Sequence, residues 1–154
     1  MARYVFRLFF PALLVTLVGC STTQSPTDIR IIAVPNAPKA AGPYSQGVVA
    51  NGFLFTAGST PRDPVTNQNI QGDITAQSAR TFDNLEAILA GAGCSWKDVV
   101  KVTVYMTNLA DFSKMNEVMA ARVGDNKPAR STVGVASLPT GVALEVDLVA
   151  KLPR

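Results

Sequence analysis

Apolar and polar residues alternate in several short stretches of the chain, which is the pattern of half-buried β-strands. In the clearest stretch, residues 100–106, valines and Met106 alternate with Lys101, Thr103 and Tyr105. Two other stretches flank Asn51-Gly52, a pair of residues that strongly favours a tight β-hairpin turn. The sequence therefore predicts six strands, at residues 30–34, 46–50, 53–57, 100–106, 132–136 and 143–151.

Two segments instead repeat their apolar residues at helical spacing. The first is predicted to run from Asp73, which can cap its start, to Gly93, which can end it. The second is predicted for residues 111–123, with Asp111 as its cap. The resulting order is β, ββ, α, β, α, ββ, which suits an α+β two-layer fold with two helices on one face of a mixed six-stranded sheet. The other face of the sheet then needs cover, and we expect a second copy of the chain to provide it.

The N-terminal residues have the pattern of an export signal. Arg3 and Arg7 precede a short apolar run that ends in Leu17-Val18-Gly19-Cys20, as in a secretory signal peptide. The run is shorter than the roughly 20 residues of a membrane span. Its end resembles a bacterial lipobox, which predicts a signal peptide at residues 1–19 and a lipidated Cys20. The alternative is an ordinary signal peptide with an incidental cysteine.

A lipidated Cys20 would join the protein to a membrane on the periplasmic side of the cell envelope, since several acyl chains anchor a protein stably. The lipoprotein resemblance, with Ser21 after the cysteine, favours the outer membrane. Residues 20–28 are polar and form the predicted tether, and residues 29–154 form the predicted domain.

Charge and composition exclude several functions. The chain has 14 basic and 11 acidic residues, and Arg3 and Arg7 leave with the signal, so the mature charge is 12 − 11 = +1. A nucleic-acid-binding surface would need a clustered basic stripe, so no nucleic-acid partner is expected. The absence of histidine from the sequence excludes Ser-His-Asp and Cys-His catalysis and HExxH metal sites. Acid–base chemistry must then use a carboxylate, Lys, Tyr or Cys.

Three residues are candidates for chemistry, although each has an ordinary structural interpretation when taken alone. Arg130 precedes a strand and could be a solvated cation. Glu145 shares a strand face with Asp147 and could belong to a solvent-facing acidic stripe. Tyr44 follows Pro43 and could be a loop aromatic.

Read together, the segments that contain these residues resemble the RidA/YjgF family over about residues 35–150. The ordered set of matching motifs carries the resemblance: Gly42-Pro43-Tyr44-Ser45-Gln46-Gly47, Phe55-Thr56-Ala57-Gly58, Asp83-Asn84-Leu85, Val100-Lys101-Val102-Thr103-Val104-Tyr105, Asp111-Phe112, Pro128-Ala129-Arg130-Ser131-Thr132-Val133, Leu138-Pro139 and Leu144-Glu145-Val146. The resemblance implies a chorismate-mutase-like fold, assembled as a homotrimer with clefts between subunits.

The resemblance also implies an activity, the hydrolysis of enamines and imines to a keto acid and ammonia, as in 2-iminobutanoate/2-iminopropanoate deaminases. It implies that Arg130 binds the substrate carboxylate and that Glu145 positions the attacking water. Tyr44, the Gly58 backbone and Thr132 complete the implied substrate-binding set. No cofactor and no metal ion are implied.

Spacing gives a separate indication of assembly. If the last two predicted strands formed a simple hairpin, Glu145 would face Val135, and Arg130 would lie roughly 16 Å away, at about 3.3 Å per residue. Either these strands are not neighbours, or the site is completed across a subunit boundary. The resemblance implies the second arrangement.

Departures from the family pattern leave alternatives open. Ala57 occupies the position of a serine hydroxyl in well-studied deaminases of the family, and Thr132 that of a frequent cysteine. The main alternative to a deaminase is a non-catalytic trimeric module on the cell envelope that binds small carboxylates or partner proteins. A ribonuclease, a label sometimes attached to this family, fits least well with a near-neutral chain that lacks histidine.

Overall fold

The computed structural model describes residues 29–153. The predicted signal peptide at residues 1–19, the lipidated Cys20 and the tether at residues 20–28 lie outside the described residues. Within the described part, no helix has the length and apolar character needed to cross a membrane.

The six strands form one mixed sheet. Only β4 and β5 pair in parallel, and all other neighbours are antiparallel. The order across the sheet is β1-β2-β3-β6-β4-β5. The strands are β1 (Arg30–Ile32), β2 (Gly47–Ala50), β3 (Phe53–Thr56), β4 (Val99–Met106), β5 (Ala129–Gly134) and β6 (Leu144–Lys151).

The β2–β3 hairpin turns at Asn51-Gly52, as predicted. Both residues have positive φ, at 50° and 78°, which is the requirement of a type I′ turn. Ala50 pairs with Phe53 directly beside the turn. The hairpin register therefore follows from two residues of sequence.

Two helices cover one face of the sheet, α1 (Ile74–Gly91) and α2 (Phe112–Val123). Helix α1 begins as predicted, because the Asp73 carboxylate accepts a hydrogen bond from the Ala76 N–H at 3.0 Å. The chain leaves this helix through Gly93, whose φ is +80°. Each helix connects two strands that run in the same direction, a connection that a tight turn cannot make.

Asp111 occupies the N-cap position of α2, as predicted, but its side chain makes no capping hydrogen bond. A one-turn 3₁₀ helix, Leu109–Asp111, precedes α2, and the cap of that turn is Asn108, whose side-chain oxygen accepts from the Ala110 N–H. The Asp111 carboxylate accepts from the Asn108 amide instead, at 3.1 Å.

The two faces of the sheet differ sharply. The face against the helices holds a continuous buried core that includes Phe82 of α1 and Leu148 of β6. Strand alternation directs the intervening residues to the opposite face. Four large apolar side chains on that opposite face remain exposed on the single chain: Ile31, Phe53, Phe55 and Val133.

The last two strands are not neighbours, because β4 lies between β5 and β6. Strand β5 also begins at Ala129, three residues before the predicted start. Glu145 consequently pairs with Tyr105 of β4, and Arg130 pairs with Val102. The alternative that the last two strands are not neighbours is therefore correct, and the simple hairpin does not form.

Candidate functional site

A cleft of about 310 Å³ opens beside the end of β3 and contains three of the predicted site residues. Tyr44 comes from the loop before β2, Gly58 from the segment after β3, and Glu145 from β6. Ala57 and Ser59 line the same cleft. The chain thus brings the implied water-positioning acid, a cleft aromatic and the glycine backbone together.

Gly58 lies directly against the Glu145 carboxyl group. A Cβ atom at position 58 would lie 2.6 Å from the Glu145 Cδ, and closer still to Oε1. No real side chain approaches that closely, so any residue other than glycine would displace the carboxylate. The adjacent backbone is fixed by two hydrogen bonds, from Ser59 N–H to the Val146 carbonyl (2.8 Å) and from Val146 N–H to the Ser59 carbonyl (2.9 Å).

The position of Glu145 raises the pKa of its carboxyl group. Burial in the cleft is the larger cause, and the neighbouring Asp147 carboxylate adds to it. Both disfavour the ionised form of Glu145. A carboxyl group whose pKa moves towards neutrality is a better proton acceptor for water, since general-base catalysis is most effective when the pKa lies near the working pH.

Gln46 fixes one wall of the cleft. Its side chain is almost fully buried, at 8% exposure. Its oxygen accepts from the Val34 N–H at 2.6 Å, and its amide nitrogen donates to the carbonyls of Val34, Ala37 and Pro38 at 2.9–3.2 Å. One buried amide therefore holds the loop before β2, on which Tyr44 and Lys39 lie.

Asn84 fixes the opposite wall from α1. It is buried, and its amide nitrogen donates to the carbonyls of Thr60 (3.1 Å) and Arg62 (2.8 Å). The segment after β3 is therefore tied to the helix layer. Sequence reasoning did not assign a role to Gln46 or Asn84, because local pattern does not distinguish a buried amide from a solvated one.

Arg130 lies elsewhere, on the edge strand β5 beside α2. It lines a separate depression of about 350 Å³ together with Asn116 and Met119. Its guanidinium donates to the Asn116 side-chain oxygen at 2.7 Å and lies 5.3 Å from the centre of the Phe112 ring. Among the described residues, no carboxylate forms an ion pair with Arg130. Its positive charge is therefore not neutralised, and the guanidinium nitrogens not bonded to Asn116 can bind a carboxylate.

Thr132 follows Arg130 on the same face of β5, paired with Val104. Its hydroxyl oxygen is buried and has no hydrogen-bond partner within residues 29–153. Thr132 therefore shares a strand face with Arg130 but lines neither the Arg130 depression nor the Glu145 cleft.

One chain cannot bring Arg130 and Glu145 to the same small ligand. Arg130 is level with Val102, on the helix face, whereas Glu145 is on the other face and is separated by the width of β4. Arg130 is also level with Leu148, three residues along β6 from Glu145. At standard strand spacing, the two backbones are roughly 10 Å apart across the sheet and roughly 10 Å apart along the strands.

In residues 29–153, no three His, Cys, Asp or Glu side chains come close enough together to hold a metal ion. The ionisable groups around Glu145 are Asp147 and Tyr105 on the sheet and Lys39 and Arg62 on the cleft wall. The arrangement therefore offers one carboxylate and two cations to a bound molecule.

A family profile described as Endoribonuclease L-PSP matches residues 34–152 of the chain. The chain belongs to the RidA/YjgF family. The match spans every element from β2 to β6 and both clefts. At the level of the family, the supported activity is the deamination of imines and enamines.

Individual relatives agree with this assignment. A RutC family protein of Pyrococcus horikoshii is 48% identical over 121 residues, which are 79% of this chain and 96% of that protein. RidA from an Antarctic Psychrobacter species, known from a crystal structure, is 37% identical with a TM-score of 0.77. The match covers 80% of this chain and 99% of that protein. Escherichia coli TdcF, solved with bound serine, is 38% identical with a TM-score of 0.76 and the same coverage, 80% and 99%.

Proposed function

We propose that this protein hydrolyses reactive imines and enamines to a keto acid and ammonia, with Glu145 as the general base. The observation that carries the proposal is the contact between the Glu145 carboxyl and the Gly58 backbone, in a cleft that raises the pKa of that carboxyl. The activity of the RidA/YjgF family supports the same reaction. The proposal assigns no cofactor.

The reaction needs orientation and proton transfer. The water oxygen attacks the imine carbon while one water proton passes to Glu145, and the C=N electron pair moves to nitrogen, which takes up a proton from solvent. Glu145 then returns its proton to the amine, the C–N bond breaks with release of ammonia, and the hydroxyl loses a proton to solvent to form the ketone. One water is consumed and one ammonia leaves, so the carboxylate ends as it began. An imine carbon is already electrophilic, so a positioned base supplies most of what the reaction needs.

We propose further that Arg130 holds the substrate carboxylate from a neighbouring subunit of a homotrimer. Three observations support this assembly. Arg130 and Glu145 are too far apart within one chain, four large apolar side chains are exposed on the open sheet face, and homotrimers are typical of the family. A closed ring of three copies would bury the apolar face and complete each site with residues from two chains.

A mixing experiment tests the shared site. At a substrate concentration well below KM, subunits with Arg130→Ala and subunits with Glu145→Gln are each expected to be nearly inactive. After exchange at equal amounts, three quarters of trimers are mixed, and each mixed trimer has one intact site of three, so about a quarter of wild-type activity should return. Light scattering checks the trimer, and failure to recover activity after demonstrated exchange would contradict the shared site.

The direct test of the activity is accelerated loss of freshly generated imines with release of ammonia by the full-length chain in mild detergent. The alternative function, a non-catalytic module for small carboxylates, is favoured by Ala57, which lines the cleft without a hydroxyl. A folded trimer that binds small carboxylates but accelerates the hydrolysis of no imine would replace the deaminase with this module.

We also propose that lipid on Cys20 anchors the protein to the cell envelope, at the outer membrane. Fractionation of the inner and outer membranes tests which of the two holds it. The support is the sequence pattern at residues 1–20. Cys20→Ala should yield unlipidated protein that is released from membranes. Normal membrane anchorage of that variant, without another lipid site, would contradict the assignment.

A further inference from the structure

Two cations line the wall of the Glu145 cleft without a partner of opposite charge. They are Lys39, from the loop before β2, and Arg62, from the segment after β3. Within residues 29–153, neither forms an ion pair with a carboxylate, and the ion pairs present join Arg122 to Asp83 and Glu86. The cleft therefore presents positive charge that the fold itself does not neutralise.

The acid nearest to Arg62 in sequence is already engaged. The Asp63 carboxylate accepts hydrogen bonds from the N–H groups of Val65 (2.9 Å) and Thr66 (2.8 Å) and from the Thr66 hydroxyl (3.2 Å). These bonds close its own turn. Asp63 consequently stabilises the loop and leaves the Arg62 guanidinium available.

The backbone of Arg62 is held in place. Its N–H donates to the Thr60 carbonyl at 2.7 Å, and its carbonyl accepts from the buried Asn84 amide at 2.8 Å. A bridge to Asn69 fixes the same loop. The backbone from which the Arg62 side chain extends is therefore fixed beside the cleft, so the loop itself need not be ordered when an anion binds.

Charge counting indicates what the complete cleft would bind. Only groups that line the cleft are counted, so Asp147, which neighbours Glu145 on the sheet but does not line the cleft, is left out. Lys39, Arg62 and the neighbouring subunit's arginine, as proposed above, contribute three positive charges, and Glu145 contributes one negative charge when it acts as a base. The balance, 3 − 1 = +2, matches a substrate with two negative charges rather than one. A guanidinium fork is suited to a planar carboxylate, which it can bind through two parallel hydrogen bonds.

We infer that the preferred substrates are 2-imino acids whose side chain ends in a second carboxylate, and that Arg62, with Lys39, binds this second group. The inference rests on the proposed deaminase function. The second carboxylate takes no part in the reaction: water is still consumed and ammonia released at the imine carbon. Arg62 and Lys39 thus act as specificity-determining residues.

The test compares imines of matched size and different charge. Amino-acid oxidases generate the imines of aspartate and asparagine, or of glutamate and glutamine, and semicarbazide traps the imine that remains. With the full-length chain in mild detergent, kcat/KM for the aspartate imine should exceed that for the asparagine imine at least about 10-fold, the effect of one charge-assisted hydrogen-bonded pair.

The variant Arg62→Gln should lower this ratio about 10-fold, and Lys39→Gln should lower it about 3-fold, because an ammonium is a point charge without the fork. Arg62→Lys keeps the charge and should give an intermediate ratio. The matched control is Arg80→Gln, which removes a cation beside the same loop but not from the cleft wall, and it should keep the wild-type ratio.

The measured ratios separate failure of the dicarboxylate inference from failure of the deaminase function. A wild-type ratio near one, or a ratio that Arg62→Gln and Lys39→Gln leave unchanged, would overturn the dicarboxylate inference while the deaminase function stands. Acceleration of no imine at all would overturn both. Competitive inhibition gives a second readout: 2-oxoglutarate should inhibit the wild type more strongly than pyruvate, and Arg62→Gln should reduce that difference.

Discussion

Glu145 and Arg130 lie in two regions of the same sheet that are built in different ways. Glu145 is on β6, a central strand between β3 and β4, and its half-buried carboxyl lies against the Gly58 backbone. Arg130 is on the edge strand β5, exposed to solvent and in contact with Asn116 and Phe112 of α2. The Glu145 region is held by a neighbouring strand on each side, whereas the Arg130 region has a neighbouring strand on one side only.

This difference suits the two proposed roles. A base needs a tuned pKa, which requires burial and fixed neighbours, and a central strand supplies both. A cation that completes another subunit's site must instead reach outwards, and an edge strand leaves it free to do so. We therefore expect substitutions at the Glu145 cleft to impair turnover and substitutions at Arg130 to impair binding.

The largest effect is expected for Glu145→Gln. The substitution keeps the shape of the side chain but removes the proton acceptor, so kcat should fall roughly 10²–10⁴-fold with a much smaller change in KM. Steady-state kinetics on a trapped imine measures this change. Glu117→Gln, on the exposed surface of α2, is the control, and near-normal turnover by Glu145→Gln would remove Glu145 from the mechanism.

The next largest effect is expected for Gly58→Ala. The new Cβ would collide with the Glu145 carboxyl, and a displacement of about 1 Å costs catalysis on the order of 10²-fold. The matched control is Gly134→Ala, where the nearest atoms belong to the flexible end of the Leu109 side chain, at 3.2 Å. Equal activity of the two alanine variants would show that the close approach has no role in turnover.

A smaller effect, mainly on KM, is expected for Arg130→Ala. Loss of a charge-assisted pair costs of order 1.5–3 kcal/mol of binding, which corresponds to a KM increase of about 10–100-fold. Because Arg130 is exposed on an edge strand, the thermal midpoint of unfolding should change little. Lys114→Ala, another cation of this region, is the control. An unchanged KM would contradict the placement of the substrate carboxylate.

The smallest effect is expected for Asp147→Asn, which should move the pH profile without abolishing activity. Glu145 must be ionised to accept a proton, so kcat/KM should rise as the pH increases through its raised pKa. Burial, the larger cause of the raised pKa, remains in the variant, and the repulsion from Asp147 is removed. The pKa of Glu145 should therefore fall, and the acid limb of the profile should move to lower pH.

That profile also depends on the two cations that line the cleft, Lys39 and Arg62, whereas Tyr105, whose pKa is raised by Asp147, stays uncharged over this range. Measurement of kcat/KM from acidic to neutral pH, in the wild type and in Asp147→Asn, gives the direction of the shift. A limb that stays in place or moves to higher pH would contradict the assignment of Glu145 as the titrating base.

Local pattern was sufficient for most of the elements. The alternation of residues 100–106 predicted β4, the Asn51-Gly52 pair predicted the hairpin, and Asp73 predicted the start of α1, since each depends on residues only a few positions apart. At α2 the predicted cap position, Asp111, is correct, but its side chain makes no capping bond, because a 3₁₀ turn capped by Asn108 precedes the helix. Two neighbouring capping residues compete there, and spacing alone does not decide between them.

The sequence by itself determined which residues alternate, where the helices begin and which side chains could carry acid–base chemistry. Only the tertiary structure decided that β4 separates β5 from β6, that Arg130 and Glu145 lie on opposite faces, and that Gly58 lies against the Glu145 carboxyl. Strand order and close backbone approach depend on contacts between residues far apart in the chain. Periodicity reports only on near neighbours, so it predicts an element without predicting what that element lies beside.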